Sequence, residues 1–586
     1  MVSGLTFSVS NWCRGAVILF LFTALSACDR ETVETPEAFI ERVQSELLKI
    51  SEEAEAAYWV RATYITPDTA ILAAKAGERQ LEFLGKAVTQ AKQYVDVETS
   101  PETRRALDLL LLGTSMPAPD DAELRAELAR LATDLEGMYG AAKVCDEEGE
   151  CRDLTALEAV IDHSRDYDEL LEAWLDWRSV SVPMRPMYQR MAELMNAGAQ
   201  EYGYADVGAM WKSGYDMEVA AFEEETERLW SQVKPVYEQL HCHVRAELGE
   251  HYGTERVPQD GPIPAHLLGN MWSQTWSNIY PLVEPFPGVS EVDITSALEQ
   301  QNYDAVRMTE TAEGFFTSLG LPELPDSFWT NSMLTKPADR DVVCHASAWD
   351  MGNGNDPRIK QCVEPTAGQL GTLHHELGHI YYFLMYKDQP PLFKGGAHDG
   401  FHEAIGDTIE LSMTQAYLKE KGLLEEVVES QQATINQQMK LALDKIAFLP
   451  FGKLIDQWRW KVFSGEIAAE DYNQGWWDLR QEYQGIVAPA PRSEADFDPG
   501  AKYHIPGNTP YTRYFLSFIM QFQFHQALCE TAGSQVPLYE CSIYANRAAG
   551  ERLGKAMSMG ASRPWPEAME ALTGQRSMDA AAILEY

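Results

Sequence analysis

The chain has 586 residues, of which 45% are hydrophobic and 10% are aromatic, so it can bury a sizeable core. Its formal net charge is −42. Because proteins that bind nucleic-acid backbones need clustered lysine and arginine, this charge excludes nucleic acid as a partner. The length permits several small domains or one large body, and the dispersed acidic residues are typical of solvated helix surfaces.

The first residues of the chain have the pattern of an export signal. Arg14 precedes an apolar run over 16–22 that is too short to form a permanent membrane anchor. The following Leu25-Ser26-Ala27-Cys28 resembles a bacterial lipobox, in which Cys28 is lipidated and becomes the first residue of the mature protein. The alternative is an ordinary secretory peptide in which this cysteine occurs by chance.

We therefore expect residues 1–28 to be a lipoprotein signal peptide and residues 29–35 to be a short tether. Asp29, directly after the cysteine, resembles a retention signal of the inner membrane. The expected location is the periplasmic side of a bacterial inner membrane, with the N-terminal lipid as the only membrane attachment. If the lipobox is not used, the protein would be periplasmic or extracellular.

Helical patterns dominate the rest of the chain. Thr35-Pro36-Glu37 predicts a helix start, because a capping residue is followed by proline at the first helical position. Eight further segments have helical patterns. These segments are 70–95, 120–139, 154–176, 184–202, 219–250, 294–319, 402–420 and 424–447. With no internal repeat, the pattern predicts an all-α fold and one catalytic domain over 36–586.

The clearest β pattern lies at 342–363. Residues 342–349 alternate in polarity, a turn rich in glycine and asparagine follows at 352–356, and a second arm covers 358–363. This order predicts a hairpin. A strand placed just before the motif at 375–379 could pair with an extended peptide, whereas a purely structural hairpin is the alternative, and the spacing favours neither.

Seven cysteines follow the predicted signal peptide, and six of them form three near pairs. An exported chain favours disulfides that close short loops between these pairs, namely Cys145–Cys151, Cys344–Cys362 and Cys529–Cys541. We expect the remaining Cys242 to be a buried free thiol.

The chemistry of the chain is predicted by an H-E-x-x-H motif. On a helix, His375 and His379 lie one turn apart on the same face and can reach a single metal ion, and Glu376 projects beside it as a water-activating base. A hydrolytic zinc site needs a third protein ligand, for which Glu403 is the candidate. Asp407, one turn further, would then be a hydrogen-bond partner for a ligand histidine.

The histidine directly before this motif needs separate interpretation. His374 is expected to pack or to face solvent, because no acidic residue or histidine follows it at the motif spacing. The alternative for the motif itself is a pair of satisfied core histidines, which leaves Glu376 unexplained.

Several ordered motifs resemble the angiotensin-converting-enzyme family of zinc peptidyl-dipeptidases, in a single-domain bacterial form. They are LLGNMWSQTW (267–276), KPADRDVVCHASAWD (336–350), RIKQC (358–362), HHELGHIYYFL (374–384), GFHEAIGD (400–407) and the segment 497–525. The resemblance implies a mostly helical ellipsoid in which two subdomains line a deep, lidded channel. It also implies a gluzincin core with zinc at the channel floor, a small β-hairpin beside it, and disulfides at the three cysteine pairs.

The resemblance also assigns roles to single residues. His375, His379 and Glu403 match the zinc ligands, and Glu376 matches the general base that activates water. Tyr514 matches the tyrosine that stabilises the oxyanion. The substrate backbone would be held by His345, His504 and the main chain of Ala346.

Three further residues would fix the substrate's free C-terminus. Gln274, Lys502 and Tyr511 match the residues that bind its carboxylate two positions beyond the cleaved bond, so that a dipeptide leaves. A relative that removes single residues carries arginine at the position of Gln274, and glutamine therefore favours dipeptide release. The alternatives are a carboxypeptidase of the same fold and a non-catalytic lipoprotein that binds peptides.

Family members depend on buried chloride, and the resemblance places two chloride sites in this chain. Arg178, Trp476 and Arg480 match the first site, and Tyr215 and Arg513 match the second. The sequence departs from the family's usual pattern at Leu377, where methionine is common, and in the loop GGAHDG at 395–400.

Overall fold

The computed structural model describes residues 34–147, 149–289, 292–352 and 354–586. The predicted signal peptide, the lipidation of Cys28 and nearly all of the tether therefore lie outside the described residues. None of the helices in the described ranges combines the length and apolarity that a membrane crossing requires.

Helices make up most of the described chain, which confirms the all-α prediction. In order they are α1 Pro36–Thr63, α2 Pro67–Ala91, α3 Pro101–Leu112, α4 Ala122–Gly140, α5 Leu154–His163, α6 Tyr167–Ser179, α7 Arg185–Glu201, α8 Val207–Ser213, α9 Val219–Tyr252, α10 Tyr280–Val283, α11 Thr295–Gln300, α12 Ala305–Ser318, α13 Asp326–Asn331, α14 Ala367–Tyr386, α15 Gly400–Leu411, α16 Gln415–Glu420, α17 Gln431–Leu441, α18 Ala447–Ser464, α19 Tyr472–Leu479, α20 Thr512–Thr531, α21 Arg547–Met557, α22 Trp565–Thr573 and α23 Ala581–Glu585.

Side-chain caps mark where many of these helices begin. Thr35 caps α1 by accepting from the backbone N–H of Ala38, with Pro36 as the first helical residue, as predicted. Four predicted segments were wrong in extent, because a capping residue starts a new helix inside each of them. The caps are Asp166 of α6, Asp304 of α12, Thr414 of α16 and Ser430 of α17.

The strands form three two-stranded sheets in the described part of the chain. They are β1 Val144–Cys145, β2 Cys151–Arg152, β3 Ile263–Pro264, β4 Ser347–Met351, β5 Asp356–Lys360 and β6 Ile486–Val487. The predicted hairpin is the antiparallel pair β4 and β5, with Trp349 opposite Arg358. Its regular part is shorter than predicted, because residues 342–346 precede the first strand.

All three predicted disulfides are present, and Cys344–Cys362 joins the two ends of the hairpin. The expectation for Cys242 was wrong, since this free thiol is exposed. Leu240 and Val244 lie on the buried face of α9. Cys242 is two positions from each of them, and two positions along a helix place a side chain on the opposite side.

The buried hydrophobic residues of the described chain form one large cluster and two smaller ones. The large cluster draws on elements from α4 to α23. One smaller cluster joins α1, α2 and α3 around residues such as Phe39, Val88 and Leu107, together with Tyr94 and Phe393. The other consists of Trp59, Met333 and Met351. The central helices α14, α15 and α20 all contribute to the large cluster, so the predicted metal site lies on rigidly packed elements.

Candidate metal and peptide site

The helices α14 and α15 approach each other at two glycines. A Cβ atom on Gly378 would lie 2.7 Å from the Cα of Gly406, and one on Gly406 would lie 2.8 Å from Nδ1 of His375. Larger residues would therefore push the helices apart. This close contact brings His379 and His375 of α14 next to Glu403 of α15.

The three predicted metal ligands meet at one point. His375 Nε2 lies 3.1 Å from His379 Nε2 and 3.6 Å from Glu403 Oε2. One donor atom from each residue lies within 4.8 Å of the others. Two imidazoles and one carboxylate, with a further position open to solvent, form the donor set of hydrolytic zinc sites, so these residues fit zinc.

Asp407 contacts a predicted ligand as the spacing suggested. Its Oδ1 lies 3.0 Å from Nδ1 of His375, and its Oδ2 lies 3.6 Å from Nζ of Lys445. Burial alone would raise the pKa of Asp407, but Lys445 and His375 outweigh burial and lower it to about 2. The carboxylate therefore stays ionised and orients the imidazole so that Nε2 faces the other two ligands.

His379 has a partner that the sequence did not indicate. Its Nδ1 lies 3.4 Å from Nδ1 of His402, whose ring contacts that of Tyr382 at 4.3 Å. Burial lowers the pKa of His402 well below its ordinary value, so this ring is neutral. In the sequence, this contact could have been suspected only from the position of His402 directly before the predicted ligand Glu403.

The predicted base Glu376 is buried beside the ligands. Its Oε2 atom has no hydrogen-bond partner among the described residues. Burial raises the pKa of Glu376 above its ordinary value, and Glu403 raises it further. A raised pKa makes the carboxylate a stronger proton acceptor, which a general base requires.

His374, in contrast, has a structural role, as expected. It is fully buried, its Nδ1 lies 2.8 Å from the carbonyl oxygen of Leu370, and its Nε2 lies 2.9 Å from the hydroxyl of Tyr417. Both ring nitrogens are thus satisfied by protein atoms, and the ring is not available to a metal.

The hairpin brings His345 and Ala346 to the edge of the site. His345 is exposed, and Nδ1 of its ring lies 2.8 Å from the carbonyl oxygen of Ala346. Nζ of Lys360 on β5 donates to the carbonyl oxygens of Val343 and His345. Both strands of the hairpin pack against α14, which carries His375 and His379, so the segment before β4 lies beside the metal-binding helix.

The N-terminal turn of α20 carries two of the predicted tyrosines. The ring centroids of Tyr511 and Tyr514 are 4.9 Å apart, and the ring of His504 contacts that of Tyr511 at 4.6 Å. Burial, followed by the nearby cations, lowers the pKa of His504 to about 3, so its ring is neutral. Burial also raises the pKa of Tyr514, which keeps its hydroxyl protonated as a hydrogen-bond donor.

A buried ion pair on α18 holds this turn in place, and sequence reasoning missed it. Asp456 pairs with Arg459, and its Oδ2 accepts from the backbone N–H of Tyr511 and of Thr512, each at 2.7 Å. Arg459 also donates to the carbonyl oxygen of His504 at 2.8 Å. One pair therefore fixes both the loop with His504 and the start of α20.

The three residues predicted to bind a C-terminal carboxylate converge on one atom. Nζ of Lys502 donates to Oε1 of Gln274 at 2.6 Å, and the Tyr511 hydroxyl donates to the same oxygen at 3.3 Å. Burial lowers the pKa of Lys502 to about 7. Two donors thus point at a single amide oxygen, and a carboxylate could take over both of them.

A tight loop places Gln274 at this point. Gly269 has a positive φ of 68°, and a Cβ atom on it would lie 1.9 Å from the carbonyl oxygen of Thr275. Asn270 Oδ1 accepts from the backbone N–H of Trp272 and of Gln274. The loop therefore requires glycine and fixes the backbone beneath the glutamine.

Comparison with known proteins agrees with this geometry. The sequence profile of the Peptidase_M2 family, described as angiotensin-converting enzyme, matches residues 30–586. The chain belongs to this family.

Three proteins named angiotensin-converting enzyme illustrate the similarity. The Bos taurus protein is 45% identical over 555 residues, which are 94% of this chain and 42% of that protein. The Oryctolagus cuniculus protein is 51% identical over 467 residues, which are 78% of this chain and 35% of that protein. The Theromyzon tessulatum protein is 42% identical over 593 residues, which are 99% of this chain and 95% of that protein. The chain thus spans less than half the length of the first two relatives.

In this Peptidase_M2 protein the first group of predicted chloride residues, Arg178, Trp476 and Arg480, carries positive charge that no paired carboxylate of the described residues balances. Arg178 and Arg480 are both almost fully buried, and neither Nε atom has a hydrogen-bond partner in the described chain. Burial and, after it, the charge of Arg178 lower the pKa of Arg480 to about 9. The Arg480 guanidinium lies 5.5 Å from the ring centre of Trp476. These orphaned donors fit a small anion.

The second group of this Peptidase_M2 protein is arranged differently. The hydroxyl of Tyr215 donates to Oδ2 of Asp399 at 3.2 Å, and Nε of Arg513 lies 3.1 Å from the same oxygen. The two predicted residues do come together, but a carboxylate from the loop at 395–399 lies between them. The residues at this second site therefore do not fit the chloride ion that the family resemblance implied.

Proposed function

We propose that the protein is a zinc-dependent peptidyl-dipeptidase that releases dipeptides from the free C-terminus of oligopeptides. The observation that carries this proposal is the link between two groups of residues through α20. Tyr511 belongs to the group around Gln274, and Tyr514 lies near enough to Glu403 for that carboxylate to act on its pKa. One turn at the start of α20 therefore carries residues of both the C-terminal anchor and the oxyanion donor beside the metal-binding cluster.

His375, His379 and Glu403 would hold the zinc ion. When bound, zinc supplies a Lewis acid that polarises a peptide carbonyl and lowers the pKa of water. Glu376 takes a proton from the attacking water and returns it to the leaving amine, for which its buried, raised-pKa carboxyl group is suited. The hydroxyl of Tyr514 donates to the developing oxyanion, and neutral His504 supports the same region.

The position of the cut follows from the anchor at the C-terminus. Protonated Lys502, with Tyr511 and the amide of Gln274, would hold the substrate carboxylate. His345 and the backbone of Ala346 would hold the extended peptide. A peptide fixed at its end and bound along the hairpin can place only one bond at Glu376.

The test is product identification from one defined peptide by mass spectrometry. Zinc-loaded protein is expected to yield a dipeptide and a peptide shortened by two residues. Release of single amino acids would instead establish the carboxypeptidase of the same fold. If zinc-loaded protein cleaves no peptide of a small library but binds them, the non-catalytic alternative is correct.

Chloride is proposed as a ligand of the first group, Arg178, Trp476 and Arg480. The support is the pair of buried guanidinium groups with orphaned Nε atoms. Within the described ranges no carboxylate lies at ion-pair distance from either arginine, because the nearby Asp498 pairs with Arg492. A bound anion would satisfy both donors and balance their charge.

Export of the protein is also proposed. Three disulfides support it, because such bonds persist in oxidising compartments. The lipid attachment at Cys28 rests on the sequence pattern alone. Metabolic labelling with a palmitate analogue is expected to label the mature protein, and mature protein without label would exclude a lipoprotein.

A further inference from the structure

Asp399 occupies the space between Tyr215 and Arg513, where the family resemblance places a chloride ion. We infer that the Asp399 carboxylate is the permanent anion of this site, so that the protein takes up chloride only between Arg178 and Arg480. The inference goes beyond the proposed peptidase activity and uses that activity for only one of its readouts.

The contacts of a single oxygen atom carry the argument. A small anion held by a tyrosine hydroxyl and a guanidinium needs both donors at once. Oδ2 of Asp399 lies 3.2 Å from the Tyr215 hydroxyl oxygen and 3.1 Å from Nε of Arg513. Arg513 and Asp399 form an ion pair, but the Nε–H bond of Arg513 does not point at the carboxylate oxygen. Chloride in the same place would lie against a like charge, which strongly disfavours it.

The surrounding groups keep this carboxylate charged. Oδ1 of Asp399 lies 3.7 Å from Nδ1 of His398. Burial alone would raise the pKa of Asp399, but His398, Arg513 and Tyr215 outweigh burial and lower it. The other nearby acid, Asp456, already pairs with Arg459. Asp399 is therefore the acid that balances the charge of Arg513.

The site is open to ions from solvent, so an exchange can be measured. Tyr215, Asp399 and Arg513 line a cavity of about 540 Å³, and the side chains of Asp399 and Arg513 are each 30% exposed. The cavity allows an ion to reach Arg513 once the carboxylate is removed.

The pair also links two catalytic elements. Asp399 lies one residue before α15, which carries the predicted ligand Glu403, and Arg513 is the neighbour of Tyr514 on α20. An anion between them ties the metal-binding helix to the helix of the oxyanion donor. Asp399 is thus a positioning residue, and it does in this chain what an external ion would otherwise do.

The direct test is crystallography with bromide, which replaces chloride and is located by its anomalous signal. Wild-type crystals grown in bromide are expected to contain the ion between Arg178 and Arg480 and none between Tyr215 and Arg513. Asp399→Ala crystals are expected to contain both. Bromide beside Arg513 in the wild type, or none there in Asp399→Ala, would overturn the inference. This readout does not depend on peptidase activity.

A chloride titration supplies the functional test. Without chloride, Asp399→Ala is expected to have a kcat about tenfold below that of the wild type, the size of a typical coupling between two sites. Saturating chloride is expected to restore the kcat of Asp399→Ala but not that of Asp399→Asn, which fills the space without charge. The variant Tyr215→Phe, which keeps Asp399, should have the same half-saturating chloride concentration as the wild type. A shift of that concentration by Tyr215→Phe would contradict the inference.

A protein that cleaves no peptide can still be tested through its unfolding temperature. Asp399→Ala should gain more stabilisation from added chloride than the wild type, because a ligand that binds only the folded state stabilises it. Equal gains in the two proteins would refute a vacated anion site. Loss of the proposed peptidase activity and failure of this inference are thereby separated.

Discussion

Replacing Lys502 by methionine should weaken substrate binding and stabilise the protein. Methionine is similar in length to lysine but carries no charge. Nζ of Lys502 is buried against the ring of Trp272 at 4.0 Å and donates to Gln274. Loss of the only cation in this anchor is expected to raise KM by about 30- to 1,000-fold, corresponding to about 2–4 kcal/mol for a truncated charge pair.

The gain in stability follows from the pKa of Lys502, which burial lowers from 10.5 to about 7. Since one pKa unit corresponds to about 1.4 kcal/mol, holding this lysine costs the folded state about 4 kcal/mol at pH 7. The contact with the Trp272 ring offsets about 0.5–2 kcal/mol. Lys502→Met should therefore raise the free energy of unfolding by about 2–4 kcal/mol at pH 7.

The pH dependence makes this reasoning testable. Above pH 10.5 the lysine is neutral in both states, and its penalty grows as pH falls towards about 7 and is constant below. Urea unfolding of zinc-loaded protein should thus show a gain for Lys502→Met at pH 7 that shrinks to less than about 1 kcal/mol at pH 10. Lys86→Met, whose lysine side chain is 68% exposed, is the control and should change little at either pH. A variant less stable than wild type at pH 7, or a gain equal at both pH values, would refute the argument.

Four further substitutions probe the metal site. Glu376→Gln should lower kcat by about 10²- to 10⁴-fold while metal analysis finds zinc unchanged, and near-normal turnover would exclude its role as base. Tyr514→Phe should lower kcat by about 10²- to 10³-fold with little effect on KM, so an effect on KM alone would contradict oxyanion stabilisation. Asp407→Asn should weaken zinc binding by about 10- to 100-fold in a chelator competition, and unchanged affinity would dismiss its orienting role. Gly406→Ala should reduce zinc retention, whereas Gly368→Ala on α14, where an added Cβ has no neighbour within 4 Å, should not; equal retention would argue against the glycine contact.

Local sequence signals predicted the elements that depend on neighbouring residues. The H-E-x-x-H helix, the hairpin at 347–360, the start of α1 and the three disulfides all follow from short spacings or caps, and the structure has each of them. The same reasoning failed where a cap lies inside an amphipathic pattern. Asp304 begins α12 in the middle of a segment predicted as one helix. Hydrophobic periodicity alone does not show where one helix ends and the next begins.

The residues that sequence reasoning missed act across long distances in the chain. Asp456 and Arg459 lie on helix α18, and the residues that they hold are 45 to 56 residues further on. Lys445 contacts Asp407 from the π-helical turn between α17 and α18. Asp399 was noticed only as part of an unusual loop, because its contact with Arg513 depends on how α15 and α20 pack. Such pairings are set by tertiary structure, so one sequence without relatives does not reveal them.

The small hydrophobic cluster of α1, α2 and α3 has a consequence for how the molecule opens. These helices bury apolar residues against one another and against Phe393, and Trp59 near the end of α1 packs against Met333 and Met351. A unit with its own core can separate from its support at a lower free energy than global unfolding requires. Amide protons of these helices should then exchange in a common, faster phase than those of α14 or α20. The N-terminal helices would behave as a hinged cover whose movement leaves the metal-binding helices intact.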